Sequence, residues 1–368
     1  MKIVFLDVFY PLPINSGGDW YRYFLLDELS AKNDVIAYFN YQESNKKGLT
    51  PDRIGFSSSI LPKFSNWKNV SKLFDILRPE FFLIRPKIND SFDAIFASTY
   101  CYHIAKKVAG KNTPIVLVMH NIEWKYLKEN KSLLFIPMFF YELLLIKKSK
   151  YIITISEKDH EYIKKFNKKG LSIYLPPIVN FELFNPNGNR FNYGDDRLNL
   201  LFYGSLNRDQ NIEGLKFIVN ELIPYLIRIE LTNKIRINIF GSGRPPTNLG
   251  IENHPHINYI GEVEDPGYYI RGADIVIIPI KNSAGMKIRV LESLACAKMI
   301  IAFPESIYGL PKEIQKFIFT ANSAKEFCNI IQNDFINFKF NFDIHNLTVL
   351  LGGANIEIIT SSIKLENQ

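Results

Sequence analysis

Short apolar runs that stop at a glycine, a proline or a histidine recur along the chain, with helix-length segments between them. The runs cover residues 2–6, 34–39, 93–97, 114–119, 151–156, 171–175, 198–203, 235–240, 257–260, 273–279 and 299–302. Residues 54–60 are a weaker candidate. Each run has strand length, and stretches such as 19–31, 102–109, 212–229 and 324–335 have helix length. Strands that alternate with helices in both halves, without an internal repeat, predict an α/β chain of two Rossmann-like domains. At 368 residues one compact core is less expected than two, and a hydrophobic share of 47% supplies both.

The formal charge is +7, from 44 basic and 37 acidic residues. That balance suits a polyanionic ligand or an anionic membrane surface, or reflects a Lys-rich composition alone. Cys101, Cys296 and Cys328 are odd in number and scattered, with no metal-ligand spacing among them or with the six histidines. They read as buried thiols in a reducing cytosol. The apolar run at the start is too short for a signal peptide and reads as a first strand.

The densest signal is the stretch 283–302, SAGMKIRVLESLACAKMIIA. A small-residue turn, Ser283-Ala284-Gly285, precedes a helical run over 287–297 and a strand over 299–302. At 3.6 residues per turn Ile288, Leu291, Leu294 and Ala295 share a face, with Val290 at its edge. Arg289, Glu292 and Ser293 lie off it. A glycine turn at a helix start offers free N–H groups and a positive dipole end to a diphosphate. Lys287 and Arg289 add charge-assisted donors, and Glu292 can accept from ribose hydroxyls. An amphipathic helix with a solvated, ion-paired face is the competing reading.

Other strand ends carry similar chemistry. The first strand leads to a loop rich in Pro and Gly, ending in Gly17 and Gly18 before a helix. It lacks the G-x-G-x-x-G spacing of dinucleotide sites. The strand 114–119 ends in His120-Asn121-Ile122-Glu123, which puts a histidine at the ligand edge of a parallel sheet. In the second half, Gly204-Ser205, with Arg208 close by, follows the strand 198–203. Gly241-Ser242-Gly243 follows 235–240, and Gly261-Glu262-Val263 follows 257–260. The stretch 133–146, LLFIPMFFYELLLI, is too short to span a bilayer and carries a proline. Lysines flank it on both sides. It reads either as a surface that docks on an anionic membrane or as a core helix with solvated ends.

In this order, Pro279, Gly285, Lys287, the run RVLESLA (289–295), KMII (298–301) and Gly309-Leu310 resemble the donor domain of retaining GT-B glycosyltransferases. These are the group 1, family 4-like hexosyltransferases of bacterial surface glycan synthesis. The resemblance implies a GT-B fold, with two Rossmann-like domains whose parallel sheets face each other across a cleft. It implies an acceptor-side domain over 1–185, a nucleotide-sugar domain over 186–345 and a segment 346–368 returning to the first domain. It implies transfer of a hexose from a nucleoside-diphosphate sugar to a glycan or lipid-linked acceptor, with retention, no metal, no other cofactor and no nucleic acid partner. His120 and Glu292 would be catalytic. Gly17, Gly18, Gly204, Ser205, Arg208, Gly241, Gly243, Val263, Gly285, Lys287, Arg289 and Glu292 would hold the donor, the phosphates near the first glycine turn and the base near the third. Asn121 and Glu123 would shape the acceptor side. The protein would be cytoplasmic, on the inner membrane face where it touches lipid.

The sequence departs from the family pattern at several positions. Ala284 stands where many members carry a first glutamate, and Leu206 and Asn211 replace a basic pair. Ala297 replaces the glycine before the last strand, and Tyr308 a glutamate. Two other readings therefore stay open: an inert nucleotide-sugar-binding module that supports a partner enzyme, and a nucleotide-sugar epimerase.

Overall fold

In a computed structural model the described residues are 1–8, 17–39, 54–58, 91–129, 131–177, 179–194, 196–281, 288–335, 347 and 356–367. The chain divides into two compact units, Met1–Pro177 with Gly353–Gln368, and Ile178–Gly352.

The first unit holds seven strands: β1 (Lys2–Asp7), β2 (Asp34–Phe39), β3 (Ile54–Ser58), β4 (Ala94–Ser98), β5 (Ile115–Met119), β6 (Tyr151–Thr154) and β7 (Leu171–Tyr174). They form one parallel sheet in the order β3-β2-β1-β4-β5-β6-β7. The order reverses at β1 and β4, the place where an open parallel sheet opens a crevice at its C-terminal edge. All five residues of β4, and four of the five in β5, are buried. This accounts for their unbroken apolar sequence: helices cover both faces of a parallel sheet. Helix Glu357–Asn367 belongs to this unit and is ion-paired to it at both ends, by Lys32 to Glu357 and Lys150 to Glu366.

The second unit holds β8 (Leu198–Tyr203), β9 (Ile235–Phe240), β10 (Ile257–Gly261), β11 (Ile275–Ile278), β12 (Met299–Ala302) and β13 (Phe319–Thr320). They too are all parallel, in the order β10-β9-β8-β11-β12-β13, which reverses at β8 and β11. Its strands split their side chains between two cores. Leu201, Tyr203, Val276 and Ile278 enter one, while Leu200, Phe202, Ile275 and Ile277 enter the other. Each fully buried aliphatic side chain contributes about 1.5–3 kcal/mol, so both faces must stay covered.

The boundary between units falls at Pro177–Ile178, earlier than the 185/186 that the resemblance implies. Residues 179–193 pack on the second unit. Val179, Phe184 and Tyr193 are buried in the second unit's core, and Arg271 donates to the carbonyls of Leu183 (2.8 Å) and Asn189 (2.6 Å). Three differences from the sequence reading are local. Gly17 and Gly18 are the first residues of helix Gly17–Ser30 rather than part of the loop before it. Ser293, expected off the apolar face, is fully buried, its hydroxyl donating to the Arg289 carbonyl at 2.7 Å. The short edge strand β13 has too few residues to register as a pattern. The three cysteines are free and buried. No helix among the described residues is long and apolar enough to cross a membrane.

Candidate functional site

In the second unit, the ends of β8, β9 and β10 are bonded side by side. Gly204 donates to the Phe240 carbonyl (3.3 Å) and Gly241 to the Gly261 carbonyl (2.9 Å). Leu206 donates to the Ser242 carbonyl (2.8 Å), and the hydroxyls of Ser205 and Ser242 meet at 3.0 Å. Gly241, at φ +155°, has to be glycine, since a Cβ there would overlap the Gly204 carbonyl oxygen. Gly204, at φ +140°, leaves room for a guanidinium: a Cβ on it would lie 2.5 Å from Arg289 Nη2. The glycine turns separated in sequence thus become one surface, and Arg289 lies across it.

Arg289 is carried by helix Ile288–Ala295, after β11. It is half-buried, with its guanidinium 5.7 Å from the Phe202 ring and 5.9 Å from the Tyr203 ring. Nη2 donates to Asn211 Oδ1 at 3.0 Å, while Nη1 is buried and has no hydrogen-bond partner among the described residues. Asn211 itself is 2% exposed, and its amide nitrogen donates to the Ser205 carbonyl at 2.8 Å. The residue that replaces an expected cation is therefore a bracket between the glycine turn and the cation that remains.

Glu292 is half-buried one turn further along. Burial raises its carboxyl to about 7, against the opposing pull of the Tyr203 hydroxyl and the Arg289 charge. Tyr203 lies 2.9 Å from Glu292 Oε2, 3.0 Å from the Arg289 carbonyl and 3.3 Å from the Ser293 hydroxyl. In this unit Tyr203 and Asn211 are positioning side chains that sequence reasoning missed. The tyrosine ends an ordinary apolar strand, so no local pattern marks it. Of the other expected donor residues, Gly243 is left-handed at φ +74° and packs on Asn207. Val263 is half-buried against the core. Arg208 is exposed at the start of helix Asp209–Phe217, without a side-chain cap bond. Gly285 and Lys287 lie outside the described residues, as does Ala284.

In the first unit, the end of β1 and the residue after β5 meet. His120 Nε2 is 3.2 Å from Asp7 Oδ2, and Arg22 Nε donates to the same oxygen at 2.8 Å. Arg22 comes from helix Gly17–Ser30, where Gly17 and Gly18 form the first turn beside Asp19. Burial alone would raise the Asp7 carboxyl, but the Arg22 charge and the His120 contact hold it well below the usual carboxylate range. Burial and the nearby Arg22 lower His120, so its ring is neutral near pH 7. An ionised carboxylate only accepts, so Nε2 carries the proton. Nδ1 is left a bare acceptor, buried and without a partner among the described residues. The His120 ring is fixed further by an edge contact with Tyr21 at 5.4 Å. Glu123 begins the helix Glu123–Glu129, and burial raises its carboxyl.

Two parallel-sheet units of this order in one chain, each with polar groups gathered at its reversal point, define the GT-B fold of glycosyltransferases. Residues 197–333 match the family of glycosyl transferases group 1. The second unit is thus a domain of that family, and the protein is a glycosyltransferase. An uncharacterized 44.6 kDa protein in the cps region of Klebsiella pneumoniae is 25% identical over 337 residues, covering 82% of each chain. Two solved structures share the fold. Sucrose-phosphate synthase from Thermosynechococcus elongatus superposes with a TM-score of 0.68 at 14% identity, covering 100% of this chain and 97% of that one. An E. coli trehalose-6-phosphate structure bound with UDP-2-fluoro glucose superposes with a TM-score of 0.65 at 12% identity, covering 99% of both chains.

Proposed function

We propose that the protein transfers a hexose from a nucleoside-diphosphate sugar to a glycan or glycolipid acceptor, with retention of configuration. The observation that carries this reading is Arg289, a half-buried cation laid across Gly204 with one arm held by Asn211 and the other without a hydrogen-bond partner among the described residues. A cation in that state calls for an anion, and a diphosphate accepts its charge-assisted bonds. Gly285 and Lys287, at the start of the same helix in sequence, add N–H donors and charge. Glu292 accepts from ribose hydroxyls, while Tyr203 holds its other oxygen. In the first unit the Nδ1 of His120 is an acceptor for a substrate hydroxyl, and Asp7 fixes the ring that presents it.

The neighbour bound with UDP-2-fluoro glucose supports a UDP-sugar donor, and the relative from a cps region supports a surface-polysaccharide acceptor. Most of the rate comes from positioning and from stabilising the departing diphosphate. No side chain stands out as a nucleophile, so front-face displacement is favoured over a covalent intermediate. No Asp-x-Asp stands at a strand end, and the reaction is proposed to need no divalent metal.

A thermal-shift screen of nucleoside diphosphates and their sugars tests the donor. A binder present at a hundred times its Kd adds about 2.7 kcal/mol of stability, and UDP and UDP-hexoses are expected to lead. Transfer to an acceptor panel, with and without a chelator, tests the reaction. If no nucleoside diphosphate stabilises the protein, the donor assignment fails. If a donor binds but is neither transferred nor hydrolysed, the inert-module reading replaces it.

A further inference from the structure

We propose that helix Phe135–Lys148 docks the protein on an anionic membrane, lying flat with its solvent face among the lipid headgroups. The helix has two apolar faces. Met138, Glu142, Leu145 and Ile146 are buried against the first unit. On the opposite side Leu133 is 80% exposed, Ile136 50%, Phe140 65% and Leu144 46%. Their spacing of three, four and four residues puts them in one row along the helix and the turn before it. Nine large hydrophobic side chains are exposed among the described residues; this row and neighbouring Tyr126 supply five of them. Concentration on one helix face, not exposure as such, sets the row apart.

The charge around the row selects the occupant. From Lys125 to Lys150 the sequence carries six lysines and two carboxylates; two of the lysines, Lys125 and Lys150, are ion-paired to Asp159 and Glu366. One of the two carboxylates, Glu142, is turned inward, where it accepts the backbone N–H groups of Glu123 (3.1 Å) and Trp124 (3.0 Å). Lys131 stands before the row, and Lys147 and Lys148 end the helix. Lys128 is exposed and lies with its ammonium 5.9 Å from the Phe135 ring, which keeps a positive charge beside the apolar row. Apolar side chains between lysines match an interface of acyl chains under anionic headgroups. A second copy of this chain fits worse: antiparallel pairing of two such helices would set Lys147 and Lys148 against the partner's lysines at the other end. At 14 residues the helix is shorter than the roughly 20 needed to span, so it lies along the surface. None of this rests on the donor chemistry.

The test is flotation of the full chain with vesicles of equal parts phosphatidylglycerol and phosphatidylcholine, compared with phosphatidylcholine alone, at low and high salt. The wild-type chain should float with the anionic vesicles, less at high salt, and far less with the neutral ones. Phe140→Asp combined with Leu144→Asp should reduce the bound fraction by roughly tenfold or more. Lys147→Gln with Lys148→Gln should reduce it by roughly tenfold at low salt. Ile227→Asp, an equally exposed apolar site in the second unit, should float as wild type does. Melting temperature, and stabilisation by UDP, should be unchanged in every variant. If the double Asp variant melts early, Ile136→Ser and Phe140→Ser take its place. Wild-type protein that stays with the lipid-free fraction overturns the proposal. So does a double variant that floats normally, or a wild-type dimer that Phe140→Asp splits without any flotation.

Discussion

Two carboxylates, one in each unit, stand on helices whose buried sides are otherwise mainly apolar. Glu142 is fully buried, and burial with the nearby Glu123 raises it to about 8. Glu292 is half-buried and raised to about 7. Glu142 has both oxygens occupied by the N–H groups that open helix Glu123–Glu129. It closes a helix end that would otherwise leave donors unpaired. Glu292 has one oxygen held by a tyrosine and stands three residues from a cation with one arm unpaired among the described residues. Similar shifts therefore accompany two different roles, and what separates them is whether the surrounding partners are complete. A raised carboxyl alone does not mark a site.

Replacing Glu142 should have the largest effect. Glu142→Leu strands two part-buried N–H groups and should cost about 3 kcal/mol in urea unfolding, while Glu142→Gln, which keeps one acceptor, should cost about 1 kcal/mol. Both carboxyls are raised above their ordinary 4.5, so the native state binds protons more tightly than the unfolded chain. Their contribution is greatest below 4.5 and is lost as pH rises through about 7 for Glu292 and about 8 for Glu142. Melting temperature against pH should show that decline, and Glu142→Gln should flatten its upper part. An unchanged profile would mean Glu142 is not titrating.

Next come the partners on the other helix. Arg289→Ala should weaken nucleoside-diphosphate binding by about 1.5–3 kcal/mol in calorimetry, and Glu292→Gln by about 1–3 kcal/mol. Inorganic pyrophosphate separates the two: it should lose affinity in Arg289→Ala and hold it in Glu292→Gln, because it has no ribose. Equal losses of both ligands in Glu292→Gln would make that glutamate a second structural carboxylate like Glu142.

His120→Ala should lower turnover by roughly tenfold to a hundredfold, with little change in diphosphate affinity. Loss of nucleotide affinity alone would remove His120 from the reacting part of the site. The smallest effect is expected at Ala297, which sits at φ +56° before β12. Ala297→Gly should relieve about 1 kcal/mol of left-handed strain and raise the melting temperature without altering nucleotide binding. It would show that the last turn of the Glu292 helix can be relaxed without touching the site.

The sequence by itself determined the α/β class, nearly every strand, and the strand ends at which Gly204, Gly241, Gly261 and His120 stand. It could do so because strands buried on both faces must be apolar throughout, and the breaks between them must be glycine, proline or polar. It also marked Arg289 and Glu292, through helical spacing and family resemblance together. Only the tertiary structure decided that Asn211 brackets Arg289 to the glycine turn, that Tyr203 faces Glu292, and that Asp7 and Arg22 hold His120. Those pairs lie 78, 89 and 113 residues apart for Asn211–Arg289, Tyr203–Glu292 and Asp7–His120. No periodicity reports on such distances: strand order in the sheet, which the chain does not spell out locally, brings these residues together. The helix Phe135–Lys148 was undecided for a related reason. Its sequence is apolar all round, and only packing determines which face is buried against the sheet and which is left to the solvent.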